Sequence, residues 1–299
     1  MDKISLEGKR VLVTGGNGYL GQFLVKALIK AKATVFVLDK NVETSKTSFK
    51  VDITKKREVE EVVNKIKPEI IFHLAAILNR ERNFDHFELS NNINHLGTYN
   101  LLEALKNIPY QNFIFTSTSE IYGDNKAPFH EGQLPDAVSP YSLTKVYSEN
   151  LIQTFSKLNN KKFTILRLFN FFGENMPSEF FIPQLINSLK TKGSFEMTKG
   201  EQIRDFLYID DVVSALILSA KQSNPNNDVY NICSNTGVTL KQLAQTIKKV
   251  LKSDCKINFG ALPYRTSEVW NMVGDNSKIK EAFGFTPKYN IEEALKKMI

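Results

Sequence analysis

The first 170 residues alternate between short strand-like runs and stretches with helical spacing. The strand-like runs, rich in β-branched and aromatic residues, are Lys9–Thr14, Ala33–Leu38, Phe49–Val51, Glu69–His73, Asn112–Ser117 and Phe163–Phe169. Helical spacing begins at Gly18 and recurs at Arg57–Ile66, Asn91–Lys106 and Ser142–Leu158. Strands joined by right-handed helical crossovers run parallel and are covered on both faces. The alternation therefore predicts an α/β fold with a doubly wound parallel sheet of the Rossmann type.

The regular alternation fades after about residue 171, where turn residues become frequent. These include Gly173, Pro177, Pro183, Gly193 and Gly200. We expect a nucleotide-binding domain over residues 1–170, with a segment near 203–235 returning to it. Residues 171–299 are then expected to form mainly a smaller α+β lobe. Ligands of open parallel sheets bind beyond the carboxyl ends of the strands, so this lobe is placed to close over one.

Composition excludes several other classes of protein. The 39 basic and 32 acidic residues give a net charge of +7, but the lysines are scattered and form no nucleic-acid-binding motif. The longest apolar run, Ile70–Leu78, is interrupted by His73 and is too short to span a bilayer. Cys233 and Cys255 lack the spacing of a metal site or a disulfide scaffold. We expect a cytoplasmic protein with no metal, no nucleic acid and no membrane partner.

A glycine triplet, G-x-x-G-x-x-G, joins the first strand to the first helix. Its glycines are Gly15, Gly18 and Gly21. A tight turn, a pyrophosphate lying against backbone and a helix packed on a strand each require a residue without a side chain. The helix N-terminus then offers free N–H groups to the phosphates. The triplet predicts dinucleotide binding by the segment that also contains Asn17, Tyr19 and Leu20.

Acidic and small residues at later strand ends extend this predicted cofactor site. Asp39 ends the second strand, where a carboxylate binds the adenosine ribose hydroxyls and repels a 2′-phosphate, so we expect NAD rather than NADP. Asp52 follows the third strand and, with Ile53, is expected near the adenine. The cofactor-binding residues expected after the fourth strand are Leu74, Ala75 and Ala76.

Tyr141 and Lys145 lie four residues apart at the start of a predicted helix, on one helical face. An ammonium group beside a phenol favours phenolate and lowers the phenol's pKa. The tyrosine then takes a proton from a hydroxyl while hydride leaves the same carbon for the nicotinamide. Tyr122 and Lys126 have the same spacing, but their segment is a poor helix. Pro140 before Tyr141 favours the first pair.

These residues resemble the extended short-chain dehydrogenase/reductases, in particular the NAD-dependent nucleotide-sugar epimerase/dehydratase group. The resemblance covers nearly the whole chain. The matching motifs are TGGNGYLG at Thr14–Gly21, HLAA at His73–Ala76, STSEIYG at Ser117–Gly123, PYSLTK at Pro140–Lys145, RLFNFFG at Arg167–Gly173, RDFLYIDDVV at Arg204–Val213 and YRTSE at Tyr264–Glu268.

The resemblance implies a role for each matching residue. It makes Thr118 the partner of the reacting sugar oxygen, Tyr141 the acid/base and Lys145 a second contact to the nicotinamide ribose. The substrate-binding residues that it implies are Asn170, Arg204 and Arg265, the two arginines for a nucleotide diphosphate, and Glu268 for the nucleoside ribose. Guanidinium groups suit this task because they bind phosphate oxygens in pairs. The alternative for Arg204 is a salt bridge with Asp205 or Asp210.

Members of this group also commonly form homodimers by pairing two helices of each subunit. The corresponding helices are about Asn91–Lys106 and Ser142–Leu158. In the second helix, an apolar stripe of Leu143, Tyr147, Leu151 and Phe155 is expected to pack at least partly against the protein's own sheet.

The reaction is expected to be hydride transfer at C4 of a nucleotide-diphosphate sugar. Gly200–Val213 and Gly260–Lys278 resemble the 4-epimerases and 4-keto-sugar reductases of surface-polysaccharide synthesis. Ser119 and Glu120 stand where many 4,6-dehydratases have an Asp-Glu pair, so a dehydratase or decarboxylase using Glu120 catalytically is the alternative. A non-catalytic protein that senses NAD is a remote alternative, since it would not need Thr118, Tyr141 and Lys145 together.

Overall fold

The structure is a computed structural model that describes residues 5–79, 83–191, 193–222, 225–265 and 268–299. The strands are β1 (Arg10–Thr14), β2 (Thr34–Asp39), β3 (Ser48–Lys50), β4 (Ile70–His73), β5 (Asn112–Thr118), β6 (Phe163–Leu168), β7 (Asn170–Phe172), β8 (Ser194–Met197), β9 (Ile203–Tyr208), β10 (Asp228–Ile232), β11 (Gly237–Thr239), β12 (Lys256–Phe259) and β13 (Asn271–Met272). The α-helices are α1 (Tyr19–Lys30), α2 (Lys56–Ile66), α3 (Phe87–Ser90), α4 (Gly97–Leu105), α5 (Pro140–Asn159), α6 (Phe181–Thr191), α7 (Ile209–Ala220), α8 (Leu240–Leu251), α9 (Ser277–Phe283) and α10 (Ile291–Met298).

The main sheet has seven strands within the described residues, in the order β10-β6-β5-β4-β1-β2-β3. Every neighbouring pair is parallel. Thr14 at the end of β1 lies in register with Leu38 of β2 and His73 of β4. The carboxyl ends of the central strands therefore meet at one edge, and the predicted doubly wound α/β fold is confirmed.

Two apolar cores sandwich this sheet because neighbouring strand residues point to opposite faces. Leu12 belongs to the core beneath α2, α4 and α5. Val11 and Val13 belong to the core beneath α1, α7 and α9. All three side chains are fully buried, as expected for a strand covered on both faces.

The C-terminal region forms smaller sheets on a third core. β9 pairs with β7, β11 and β13, and β8 pairs with β12. The helices α6, α8 and α10 contribute to this core. The chain also returns to the main sheet, because α7 packs on α1 and β10 pairs with β6. A division into two domains near residue 170 stays our proposal.

The helix α5 buries a polar face together with part of its predicted apolar stripe. Its apolar stripe is only partly covered, since Tyr147 is 38% exposed and only Phe155 of the four is fully buried. The buried face is largely polar and comprises Ser142, Thr144, Lys145, Ser148 and Glu149 along with Ile152 and Phe155. The stripe is therefore only partly covered, in line with the expectation of partial packing, and the face buried with it is polar.

The predicted helix at Asn91–Lys106 begins earlier, at Phe87, and is not uniform. A π-helical segment, Asn91–Leu96, lies between α3 and α4. Such wide turns place backbone carbonyls and side chains where a regular helix cannot, and they are frequent at functional sites. No helix in the described parts of the chain is long and apolar enough to cross a membrane.

Candidate active site

The glycine triplet forms a turn with no room for side chains at two of its positions. Gly15 has φ of +71°, and a Cβ there would lie 2.7 Å from the backbone nitrogen of Ala75. A Cβ on Gly21 would lie 2.2 Å from the Gly15 carbonyl oxygen. The turn therefore packs directly on the segment after β4 and on the first turn of α1, as the fingerprint requires.

A cleft of about 250 Å³ opens beside this turn. Its lining includes nine of the predicted cofactor residues: Gly15, Asn17, Gly18, Asp39, Asp52, Ile53, Leu74, Ala75 and Ala76. Tyr19 and Leu20 direct their side chains into the apolar cores instead, and Tyr19 stacks on Phe171. These two residues therefore have only their backbone N–H groups to offer a phosphate. In the described structure no side chain caps the start of α1, which leaves that end suited to an anion.

Two carboxylates border the cleft in different surroundings. The Asp39 carboxylate accepts hydrogen bonds from the backbone amides of Asn17 (3.1 Å) and Asn41 (2.8 Å), which fix it at the end of β2. Burial alone would raise the pKa of Asp52. Hydrogen bonds from the amide and hydroxyl of Thr54, with lysines nearby, instead hold that pKa below its usual value. Both groups can accept hydrogen bonds from a bound nucleoside.

A buried histidine connects the turn to the helix beyond the π segment. His73 Nδ1 lies 2.6 Å from Thr14 Oγ1, and Nε2 lies 2.8 Å from Thr98 Oγ1. Thr98 donates to the Asn94 carbonyl, so it accepts from Nε2–H, and Thr14 must donate to Nδ1. Burial, with Lys145 nearby, lowers the pKa of His73 to about 3. The ring is therefore neutral, with its tautomer fixed by the two threonines.

Asn94, which sequence reasoning missed, ties the cofactor cleft to α5. Its Oδ1 accepts from the Ile77 amide at 2.8 Å, and its Nδ2 donates to Thr144 Oγ1 at 3.1 Å. Ile77 lines the cleft, and Thr144 precedes Lys145. The Asn94 carbonyl also accepts from Ser148 of α5. No local sequence pattern indicated this link, because it depends on the π-helical segment.

Three predicted catalytic side chains converge where β5 ends and α5 begins. The Thr118 hydroxyl lies close enough to the Tyr141 phenol to lower its pKa, and the Glu120 carboxylate lies close enough to raise it electrostatically. Thr118 also caps the turn that carries Glu120, accepting from its amide at 3.2 Å. Burial and the charge of Glu120 raise the pKa of Tyr141, while Thr118 acts in the opposite direction. The expected lowering of the Tyr141 pKa is therefore wrong, because these protein groups together raise it.

Lys145 does not pair with the phenol directly. Its Nζ donates to the Thr116 carbonyl at 2.8 Å and lies 4.4 Å from the centre of the Phe115 ring and 5.9 Å from that of Tyr141. The side chain is 2% exposed. Burial lowers its pKa to about 7, although Glu149 opposes this shift. Lys145 therefore sits beneath Tyr141 as a buried amine that titrates near neutral pH.

The second tyrosine-lysine pair is not arranged for catalysis. Tyr122 lies on a short 3₁₀ turn and is fully buried. Its hydroxyl donates to Asn231 at 2.7 Å and accepts from Arg167 at 2.9 Å. Lys126 is not on a helix. The preference for Tyr141 and Lys145 is thus consistent with where the structure places both pairs.

Of the predicted substrate residues, Asn170 and Arg204 lie on β7 and β9, whereas Arg265 and Glu268 lie between β12 and β13, outside any strand. Arg204 forms an ion pair with Glu268, not with Asp205 or Asp210. Glu268 also accepts from Gln202 at 3.3 Å. Asp205 instead accepts from amides and the hydroxyl of the Ser234 turn, and Asp210 pairs with Lys297.

Asn170 and Met272 lie side by side at this end of the site. Asn170 Nδ2 lies 3.4 Å from the Asp205 carbonyl and 3.9 Å from Met272 Sδ, and the Ser119 hydroxyl contacts the same sulfur at 3.4 Å. Met272 was not predicted, because an isolated methionine has no sequence signature. Arg265 is exposed. Residues 266 and 267, within the predicted motif, lie outside the described residues.

Comparison with known families identifies the chain's relationship. The model of the NAD dependent epimerase/dehydratase family matches residues 11–233. The chain belongs to this family. It is accordingly an enzyme of the NAD-dependent epimerase/dehydratase type, and its cofactor is NAD. The cleft fits that cofactor, since its glycine turn, free helix N-terminus and fixed Asp39 carboxylate are the features a dinucleotide requires.

The relatives of this chain are named for different reactions. A putative UDP-glucose 4-epimerase from Methanocaldococcus jannaschii is 28% identical, over 97% of each chain. A UDP-N-acetyl-alpha-D-glucosaminuronate decarboxylase from Bacillus cytotoxicus is 31% identical, again over 97% of each. The crystal structure of a UDP-glucose 4-epimerase from Thermotoga maritima, with UDP-glucose, matches with a TM-score of 0.90 at 28% identity, covering 97% of both chains.

Proposed function

We propose that the protein uses NAD for hydride transfer at C4 of a nucleotide-diphosphate sugar without loss of water, as a 4-epimerase or 4-keto-sugar reductase. The observation that carries the proposal is the convergence of Thr118, Tyr141 and Lys145 at the sheet edge that holds the glycine turn. A purely NAD-sensing protein would have no use for this triad. Its relatives' named reactions on nucleotide sugars support the substrate class.

In this proposal Tyr141 exchanges the proton of the C4 hydroxyl. Thr118 hydrogen-bonds both the phenol and the sugar oxygen, which orients that hydroxyl. Lys145 provides the buried positive charge below the phenol and binds the nicotinamide ribose. NAD supplies the hydride acceptor and, in its oxidised form, a further positive charge. Because burial and Glu120 raise the pKa of Tyr141, proton transfer depends on these cations.

The substrate's nucleotide is proposed to occupy the C-terminal side of the site. Arg204 and Arg265 bind the diphosphate, Glu268 the nucleoside ribose, and Asn170 the region between the diphosphate and the sugar. The Arg204–Glu268 ion pair supports this assignment because it holds both groups in place while each keeps further hydrogen-bonding capacity.

Met272 and Glu120 favour an uncharged sugar over a uronic acid. Met272 places a neutral thioether against Ser119 and Asn170, and Glu120 places a carboxylate beside Tyr141. The carboxylate of a uronic acid would meet the like charge of Glu120 and would lose its hydration beside the Met272 thioether. This supports C4 chemistry without decarboxylation.

Decarboxylation or dehydration remains the second candidate, on one specific observation. Glu120 lies against the catalytic phenol, where a carboxylate can act as a base, and the relative at 31% identity is a decarboxylase. For dehydration, Glu120 takes the C5 proton of the 4-keto-sugar and returns it to the departing C6 hydroxyl, so that water is lost. For decarboxylation, carbon dioxide leaves the 4-keto-uronate and protonated Glu120 gives its proton to the resulting enolate.

The decisive experiment incubates the protein and NAD with UDP-glucose, UDP-galactose, UDP-N-acetylglucosamine, UDP-N-acetylgalactosamine, dTDP-glucose and UDP-glucuronate, and incubates the protein and NADH with a nucleotide 4-keto-6-deoxy-sugar. The products are separated by chromatography, and their masses are measured by mass spectrometry. A new isomer of unchanged mass indicates epimerisation, and a 4-keto-sugar that gains two hydrogens with NADH indicates ketoreduction. Loss of water or carbon dioxide would replace our proposal with the second candidate.

We also propose that the protein is a homodimer formed through the helical segment 87–105 and α5. Leu96, Tyr99 and Tyr147 are large, apolar and 38% to 43% exposed on these neighbouring elements. Burying them against a second copy removes apolar surface from water. Light scattering should give twice the chain mass for the native protein and the chain mass for Tyr99→Glu/Tyr147→Glu. Leu262→Glu, at an exposed leucine of the C-terminal lobe, should stay dimeric.

A further inference from the structure

A buried ion pair lies one helical turn beyond Lys145. Glu149 of α5 and Arg167 of β6 are 2% and 5% exposed. The Arg167 guanidinium donates to both carboxylate oxygens of Glu149, from Nε to Oε1 at 3.1 Å and from Nη2 to Oε2 at 2.8 Å. The third nitrogen donates to the Tyr122 hydroxyl at 2.9 Å. The carboxylate is therefore held rigidly on the sheet-facing side of the helix.

Stability alone does not explain this pair. Removing two charges from water has a large desolvation cost, and apolar side chains of similar volume often stabilise such a place equally well. Glu149 occupies the polar buried face of α5 together with Lys145, and residues four apart on a helix are neighbours. Its position therefore calls for an electrostatic explanation.

The groups facing Lys145 come from three elements. From α5 these are Tyr141 and Glu149. From β5 they are the Thr116 carbonyl and the Phe115 ring. From β4 the neutral His73 lies close, while Glu120 acts on Tyr141 from the turn after β5. Among these groups Glu149 supplies the negative charge that opposes the burial of Lys145.

We infer that Glu149, clamped by Arg167, is a positioning residue that keeps Lys145 in its ammonium form. The inference rests on the proposed function, in which the Lys145 cation assists Tyr141. Without a fixed carboxylate, a fully buried lysine loses its proton more readily. Arg167 is needed to fix the carboxylate. Without it, the Glu149 side chain can rotate towards Lys145 and pull its Nζ away from the Thr116 carbonyl.

The test measures the charge of Lys145 directly, in full-length protein with NAD bound. Protein labelled with ¹³Cε-lysine is titrated by NMR, and the Lys145 signal is assigned by its loss in Lys145→Met. In Glu149→Gln the pKa of Lys145 should fall by about one unit or more, since a neighbouring negative charge is lost and the Arg167 cation is left uncompensated. In Arg167→Gln it should stay or rise, because the carboxylate remains.

Three further variants separate charge from packing. Glu149→Asp keeps the charge and should hold the pKa closer to the native value than Glu149→Gln does. Tyr122→Phe removes a hydroxyl from the same network without changing charge and should leave the pKa unmoved. If Glu149→Gln does not fold, the double variant Glu149→Gln/Arg167→Gln carries the test, and its Lys145 pKa must lie below that of Arg167→Gln.

The pH profile of turnover gives a second readout. The alkaline limb of kcat should move to lower pH in Glu149→Gln by the same shift that NMR reports. An unshifted Lys145 pKa in Glu149→Gln, or equal downward shifts in Glu149→Gln and Arg167→Gln, would overturn the inference. Because the NMR titration needs no turnover, a shift in a protein inactive on every nucleotide sugar would refute the proposed function and leave this inference standing.

Discussion

The cofactor end and the substrate end of the site are specified in different ways. At the cofactor end the constraint comes from backbone packing, because Gly15 and Gly21 have no space for a Cβ. At the proposed substrate end, Asn170, Arg204 and Glu268 are side chains on or beside short strands far apart in the chain. Backbone sterics make the first end intolerant of change. Side-chain charges leave the second end adjustable, which fits relatives that are named for different reactions.

The largest expected effect is at the glycine turn of the cofactor end, where backbone packing leaves no space for a side chain. Gly21→Ala places a Cβ 2.2 Å from the Gly15 carbonyl, so the turn must move and NAD binding should be lost altogether. Calorimetric titration with NAD measures this. Gly193→Ala, where a Cβ meets nothing within 4 Å, is the matched control and should bind NAD normally. Native affinity in Gly21→Ala would contradict the steric account.

A smaller effect is expected at Asp39, where charge rather than shape is at issue. Asp39→Asn keeps the side chain's size but removes the carboxylate. Hydrogen bonds to charged groups contribute about 1.5–3 kcal/mol, so NAD affinity should fall about 10-fold or more while NADP affinity falls less or rises. Asp52→Asn serves as the control and should affect both dinucleotides equally. An unchanged NAD-to-NADP preference in Asp39→Asn would contradict the role of the carboxylate.

These features of the cofactor end were predictable because they are local in sequence. The glycine turn and Asp39 belong to short motifs, and the parallel sheet follows from strands and helices that alternate along the chain. The Asn94 link and the fixed tautomer of His73 were not predictable, since both require the π-helical segment that brings Asn94 between Ile77 and Thr144.

At the substrate end, two arginines should respond differently. Arg265→Gln, at an exposed position, should raise KM about 10-fold with little change in the free energy of unfolding. Arg204→Gln should raise KM similarly and also destabilise the fold, because it leaves the mostly buried Glu268 carboxylate without its cation. Steady-state kinetics and urea unfolding measure the two effects. Unchanged KM in both variants would remove the arginines from substrate binding.

The Arg204–Glu268 pair shows why the substrate end could only partly be predicted. Family resemblance indicated both residues, but the sequence suggested Asp205 or Asp210 as the salt-bridge partner. The partner is 64 residues away and comes close through the pairing of β13 with β9. The thioether contacts of Met272 arise from the same long-range pairing. Such contacts depend on register between distant short strands, which no local pattern records.

The smallest predicted effect concerns pH and the buried His73. Its pKa is about 6.5 when unfolded and about 3 in the folded protein. Its contribution to stability is therefore complete above about pH 6.5 and is lost as pH falls towards 3. His73→Gln should show a shallower loss of urea stability between pH 7 and pH 5 than the native protein. His130→Gln, at an exposed histidine, should keep the native slope, and identical slopes in both variants would contradict the assignment.

The central claim, that the Tyr141 phenol transfers the proton, is tested most directly by Tyr141→Phe. The variant lacks one oxygen, so NAD affinity and the free energy of unfolding should stay near native values. Turnover of the nucleotide sugar accepted by the native protein should fall by about 10²-fold to 10⁴-fold, the range that a positioned acid/base contributes. Tyr122→Phe should retain native turnover. Full activity in Tyr141→Phe, with NAD bound normally, would contradict the account.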